Sequence, residues 1–207
     1  LTLGVIVASN LSADARQSVV AAFNSAPKAL FPLIDASARL DMVDYYDSQN
    51  NIGAINELYG RSRITEIVSG SMRIAMTSSS RYQLMILPCA AEQDTLVAVI
   101  STLLLPAADS KMEIYHSDWT PVASEKLFKS PEFKDWLTAA GRKNKSEAEQ
   151  LVSFMLVSYD FDPETQILTL KNNSSSTLSV EVSEKVAPYF LDKLTYRWNG
   201  KKFVLIK

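Results

Sequence analysis

One cysteine, one histidine and six glycines in 207 residues leave little material for the chemistry that side chains most often advertise. A lone Cys89 excludes an intrachain disulfide framework and any multi-thiol metal site, and its place at the end of the apolar run YQLMILPC predicts a buried, inert thiol. A lone His116 leaves one imidazole for any nucleophilic triad or transition-metal site, with Asp118 its only sequence-local acid. No Gly-rich phosphate loop, nucleophile elbow, paired-Cys motif or nucleic-acid motif is present. Charge of one sign is lacking too. Twenty-one Lys and Arg against 23 Asp and Glu give a formal charge of -2, without the basic excess that draws nucleic acid or an anionic membrane. The apolar run at 95–105 falls short of the roughly 20 residues that span a bilayer, so no integral membrane segment is expected in the mature chain. No cofactor and no metal are expected.

What is present is core material: 47% apolar residues against 21% charged is ordinary globular composition. Two stretches read as the same event. KMEIYHSDWTPV at 111–122 and KLTYRWNGKKFVLI at 193–206 each run an alternating aromatic strand into a Trp-containing turn and out into a second strand. Each closes a segment that begins helical and continues as strands. The expectation is an α+β fold of two consecutive lobes, each an antiparallel β-meander with helices packed on one face. Residues 14–124 form the first lobe and 125–207 the second.

Residues 1–13 (LTLGVIVASNLSA) resemble the apolar region and cleavage end of a secretory signal peptide without its Met and basic start; the alternative is a strand or helix turn docked on the core. Helical spacing continues at 14–23, with Val19, Val20 and Phe23 on one stripe. It recurs at 34–46, where Leu40, Val43, Met42 and Tyr46 oppose Asp35, Asp41, Asp44 and Asp47. Short strands follow at 52–57 and 63–68. SMRIAMT alternates, YQLMILP and TLVAVISTLLL are apolar on both faces, and 112–116 completes a four-strand meander with the YQLMILP strand central.

In the second lobe Ser130, Pro131 and Glu132 open a helix with Phe133, Trp136, Leu137 and Ala140 buried, and Gly141 ends it. Ser146 and Glu149 read as a capping box, and Ser183 as the cap of a last helix reaching about residue 192. A hairpin turns at 162–165. In the final hairpin Asn199-Gly200 predicts a type I′ turn. That turn sets Trp198 opposite Lys201, Tyr196 opposite Phe203, Leu194 opposite Leu205 and Arg197 opposite Lys202.

The candidate binding residues are the basic hairpin tip (Arg197, Lys201 and Lys202, with Lys193 and Lys207 nearby), Trp198 beside it, and Trp119 and His116 at the first Trp turn. Edge strands also carry Lys simply to block aggregation, and a partly exposed structural role suits His116. Asp41, Asp44 and Asp47 are clustered acids of the kind that hold a hard cation or supply a general acid and base; without the glycine turn of a calcium loop, a solvated helix face is the preferred reading. Met72, Met76, Met85 and Met112 read as core filler or as an adaptable binding surface. Asp94-Thr95-Leu96 fits a short glycosylation pattern of exported bacterial proteins.

Five segments together carry a resemblance: ARLDMVDYYDS at 38–48, SMRIAMTSSSRYQLMILP at 71–88, EIYHSDWTPV at 113–122, FMLVSYDFDPETQILTL at 154–170 and LTYRWNGKKF at 194–203. In this order they resemble the domain of unknown function 3256 family, small exported proteins of anaerobic Gram-negative bacteria. The resemblance implies export to the periplasm or cell surface and supplies no catalytic residues. Adequate core, abundant strand and few reactive side chains predict a non-catalytic binding module of the cell envelope, its partner a protein, small molecule or glycan. A carboxylate-dependent hydrolase using Asp41, Asp44 or Asp118, and an inhibitor-like or chaperone-like partner of another envelope protein, are the alternatives.

Overall fold

The computed structural model describes residues 2–89 and 95–206, with the backbone alone for residues 2–13 and for Ser124. Asp94 of the glycosylation triplet and Lys207 lie outside the described residues. Six strands follow one another in the first lobe: β1 (Ala54–Ile55), β2 (Arg61–Val68), β3 (Ser71–Thr77), β4 (Ser80–Leu87), β5 (Leu96–Leu103) and β6 (Asp109–His116). They pair antiparallel in that order, so the expected meander joins the two short strands before it in one sheet. Strands β4 and β5 are apolar on both faces because both faces are covered. Met72, Ile74, Met76, Leu84, Val97 and Val99 pack under helices α1 (Thr2–Ser25) and α2 (Ala36–Asp47). Met85, Leu87, Leu96, Ala98, Ile100 and Ile114 face the second lobe.

The cap of α2 is Asp35, whose carboxylate accepts the Ala38 N–H at 2.8 Å. Its buried side differs from the expected stripe: Arg39 and Met42 are buried and Leu40 is exposed. Arg39 takes the inward place because its Nη2 donates to the carbonyl of Asn24 near the end of α1 (3.3 Å), which rotates Leu40 outward.

The second sheet runs β10-β9-β8-β7, from β7 (Val157–Asp162), β8 (Ile167–Asn172), β9 (Lys193–Trp198) and β10 (Phe203–Ile206). Its buried face carries Val157, Tyr159, Phe161, Leu168, Leu170, Trp198 and Phe203, turned onto the first sheet. The final hairpin is wider than expected. Trp198 pairs with Phe203, Arg197 with Val204 and Tyr196 with Leu205, a register two residues from the type I′ prediction. The Asn199 side chain accepts the N–H groups of Lys201 (3.0 Å) and Lys202 (2.9 Å), and Gly200 takes φ 84°, giving a four-residue loop. A slip of two preserves the faces, so the apolar side stays inward.

The helix starts also move. Residues Phe133–Trp136 form a 3-10 turn beginning after Glu132, Leu137 is extended, and α3 (Ala139–Lys143) opens on Thr138, whose Oγ1 accepts the Gly141 N–H at 3.1 Å. Gly141 therefore lies inside a helix and does not end one; a Cβ there would drive into the carbonyl oxygen of Tyr189. Helix α4 (Lys145–Leu151) follows Asn144, so Ser146 is not its cap, and α5 (Val180–Val186) is capped by Ser179 in place of Ser183.

The two sheets are locked by side chains reaching one strand edge. Along β7 the N–H groups of Val157, Tyr159 and Phe161 donate to Asp109 Oδ1 (3.0 Å), Ser110 Oγ (3.0 Å) and Gln83 Oε1 (3.1 Å). Gln83 Nε2 returns a bond to the Phe161 carbonyl at 2.7 Å. An edge that would otherwise be open to another chain is thus closed from within.

Candidate functional site

A groove of about 760 Å³ lies beside the second sheet, between the last hairpin and residues 129–145. Leu194 and Tyr196 of β9, Leu205 of β10 and Leu137 line it, and Leu205 is half exposed. The alternation of β9 and β10 puts these side chains on one face, and the hairpin is too short to cover them with another strand. Lys129, Lys134, Arg142 and Lys145 stand around this apolar floor, with Asp135 the one carboxylate of the lining.

The cations are unevenly matched. Glu132 takes both Lys134 (2.7 Å) and Lys129 (3.0 Å), and these two ammonium groups, Lys134 first, pull its pKa down to about 2. The same pairing raises Lys134. Lys145 reaches Glu149 at 3.5 Å, and Arg142 has no ion pair among the described residues. Burial raises the Tyr196 hydroxyl, with Asp135 and Tyr159 adding to the effect, so the floor stays neutral. The arrangement can hold an anionic group beside an apolar one; nothing in it provides a nucleophile activated by a base.

A second cleft, of about 240 Å³, lies at the junction of the two sheets and is lined by Arg73, Arg81, Thr102, Tyr159 and Asp160 among others. Arg73 is ion-paired to Asp160 of β7 and to Glu66 of β2, and the Asp160 hydrogen bond is the main reason its pKa is raised.

The residues singled out by sequence are dispersed. Trp198 is 4% exposed and its Nε1 donates to the Pro88 carbonyl at 2.6 Å, fastening the last hairpin to the end of β4. Trp119 sits at φ 67°, tilts against Tyr115 at 5.6 Å and donates to Ser25 Oγ at 3.2 Å, fastening the first Trp turn to α1. Both indoles are staples. Arg197 is exposed on the opposite face of β9 from the groove, and Lys201 and Lys202 are exposed in the loop. His116 is exposed at the end of β6, where its carbonyl accepts the Trp119 N–H (2.9 Å).

Asp118 accepts from the hydroxyl and the N–H of Thr120, which lowers its pKa. Asp41 and Asp44 are exposed, and Asp47 is ion-paired to Arg16 of α1. Met72, Met76 and Met85 are core residues, Met112 packs against the core, and Cys89 is half-buried at the end of β4. Among the described residues the carboxyls with displaced pKa values, Asp118, Glu132, Glu147 and Asp162, are displaced downward, away from general-acid behaviour. Among the described residues no group of three or more His, Cys, Asp and Glu side chains is placed to hold a metal. No helix among them is long and apolar enough to cross a membrane.

The groove's rim was not anticipated from sequence, although its signal was there. The basic shift across 124–145 was legible and reads equally as an inter-lobe boundary.

Fold and surface together define a two-lobed α+β protein in which a helix-backed six-stranded sheet packs against a four-stranded one bearing a basic, apolar-floored groove. The chain belongs to the family described as protein of unknown function (DUF3256), whose profile matches residues 11–203. The structure of a domain of an uncharacterized protein from Porphyromonas gingivalis W83 is similar, with a TM-score of 0.71 over 91% of this chain and 98% of that one at 17% identity. That likeness shows a shared fold. No curated protein matches the chain.

Proposed function

We propose that this chain is an exported, non-catalytic binding module of the periplasm or cell surface that holds an acidic, partly apolar segment of a partner protein in the groove of its second lobe. One observation carries the reading: Lys129, Lys134, Arg142 and Lys145 surround a floor of Leu137, Leu194, Tyr196 and Leu205, and of these four cations Arg142 has no ion pair among the described residues while Lys129 and Lys134 share the single carboxylate of Glu132. Apolar floors supply affinity and peripheral charge supplies orientation and encounter rate. Arg197, on the opposite face of β9, and Lys201 and Lys202 in the loop lie outside the groove lining. The leader-like residues 1–13 and the resemblance to exported proteins support the location.

The test uses a fluorescein-labelled peptide alternating Asp with Leu and a counterpart alternating Lys with Leu. The acidic peptide binds with a Kd on the order of 10–100 µM, and the combined Lys134→Glu, Arg142→Glu, Lys145→Glu variant weakens it by at least about tenfold. Equal binding of the two peptides, or an unchanged affinity in the variant, overturns the proposal.

A further inference from the structure

The junction cleft is built differently from the groove, and its construction points to a different ligand. Its floor consists of two rows of side chains across the first sheet: Ile100, Gln83 and Arg73 in one, Thr102, Arg81 and Ala75 in the next. Strand β7 lies across this face, fixed by its bonds to Asp109, Ser110 and Gln83, and ends over Gln83 and Arg73. The corner around Arg81 is left uncovered, with Tyr159 and Asp160 as its wall.

Charge in the cleft is specific. Arg73 is already matched by Asp160 and Glu66. Arg81 lines the same space and has no ion pair or hydrogen bond among the described residues, so its guanidinium is the one cation of the lining not already matched by a carboxylate. Around it stand the hydroxyls of Thr65, Thr77 and Ser80, with Leu104 as partly exposed apolar surface and the buried Thr102 and Ile100 beneath. Thr77 and Ser80 share a bond of 2.7 Å and Thr102 and Ser110 one of 2.8 Å, and each hydroxyl keeps acceptor capacity beyond it. The volume corresponds to roughly eight water molecules at about 30 Å³ each.

We propose that this cleft is a binding site for a small monoanionic polyhydroxy compound, a sugar acid. The guanidinium of Arg81 takes the carboxylate in a fork, the exposed threonine and serine hydroxyls meet the ligand's hydroxyls, and its apolar ring face rests toward Leu104. A dianion such as phosphate lacks a second unmatched cation here. Because the cleft draws residues from both lobes, occupancy stabilises their junction.

The probe is glucuronate, titrated into isotope-labelled protein and followed by the amide shifts of residues 73–83 and 100–104, with glucose and acetate as controls. Glucuronate saturates these shifts with a Kd on the order of 1 mM, and glucose and acetate each bind at least about tenfold more weakly. Arg81→Gln removes a guanidinium that makes no ion pair or hydrogen bond among the described residues, so it keeps the wild-type Tm and loses at least about tenfold in affinity. The groove variant Lys134→Glu, Arg142→Glu, Lys145→Glu binds glucuronate as the wild type does, which separates this site from the peptide groove. Absence of shifts, acetate binding as tightly as glucuronate, unchanged affinity in Arg81→Gln, or loss of glucuronate binding in the groove variant each overturns the assignment.

Discussion

Replacing Gln83 by leucine removes the amide that joins the two sheets while keeping a side chain of similar bulk. Gln83 is buried; its Nε2 donates to the Phe161 carbonyl at 2.7 Å and to Ser71 Oγ at 3.0 Å, and its Oε1 accepts the Phe161 N–H at 3.1 Å. In the variant that N–H loses its acceptor, and the carbonyl keeps only Arg73 Nη2 at 3.5 Å. The Ser71 hydroxyl can rotate to another partner. Two backbone groups left short inside the protein cost about 1–3 kcal/mol each. The added apolar burial of leucine offsets on the order of 1 kcal/mol. The net loss is about 1–5 kcal/mol, a large share of the roughly 5–15 kcal/mol that holds a typical domain folded. Urea unfolding read by tryptophan fluorescence suits the measurement, since Trp136 and Trp198 both lie in the core between the sheets. A Gln83→Leu protein within about 0.5 kcal/mol of wild type would refute the idea that this amide closes the edge of β7.

Gly141→Ala tests a close approach: helix propensity alone predicts a gain of up to about 1 kcal/mol, whereas the collision with Tyr189 predicts a loss of about 1–3 kcal/mol, and a rise in Tm would show the contact to be absent. Trp198→Phe leaves the Pro88 carbonyl without its indole donor and lowers stability by about 1–3 kcal/mol in chemical denaturation; no change would mean the staple is idle. Glu132 titrates near pH 2 by carbon-detected NMR, and Lys134→Gln moves its midpoint upward. Because the folded pKa lies below the unfolded value of 4.5, its stabilisation is present above that value and lost as pH falls toward about 2. A Glu132 midpoint unchanged by Lys134→Gln would rule out the pairing as the cause.

The strands of the first sheet were legible because period-two alternation and doubly apolar runs leave few alternatives, as in SMRIAMT and YQLMILP. The last hairpin was legible in face and not in register, since the side chain of Asn199 captured two N–H groups that a type I′ turn leaves to the backbone. Gly141 resembles a helix stop in sequence, and its actual reason, the backbone near Tyr189, lies almost fifty residues away. Gln83 was hidden for a related cause. A polar residue in a buried strand signals a partner without naming it, and here the partner is the backbone of Phe161 in the other lobe.

The features most conspicuous in the sequence, the tryptophans and the acidic helix, serve the fold itself. Trp119 and Trp198 each have a hydrogen-bond acceptor in another element, Asp35 caps α2, and Asp47 binds Arg16. Side chains without such obligations are available to a ligand, and among the described residues Arg63, Arg81 and Arg142 each line a concavity with no ion pair of their own. A chain of formal charge -2 thus sets one unmatched guanidinium in the groove, Arg142, and one in the junction cleft, Arg81, apart from acids such as Asp41 and Asp44 on the outer face of α2. Segregated charge attracts an anionic partner over about one Debye length, roughly 8 Å at physiological salt, before contact is made. Association at the groove therefore slows steeply with added salt while dissociation, governed by the apolar floor, changes little.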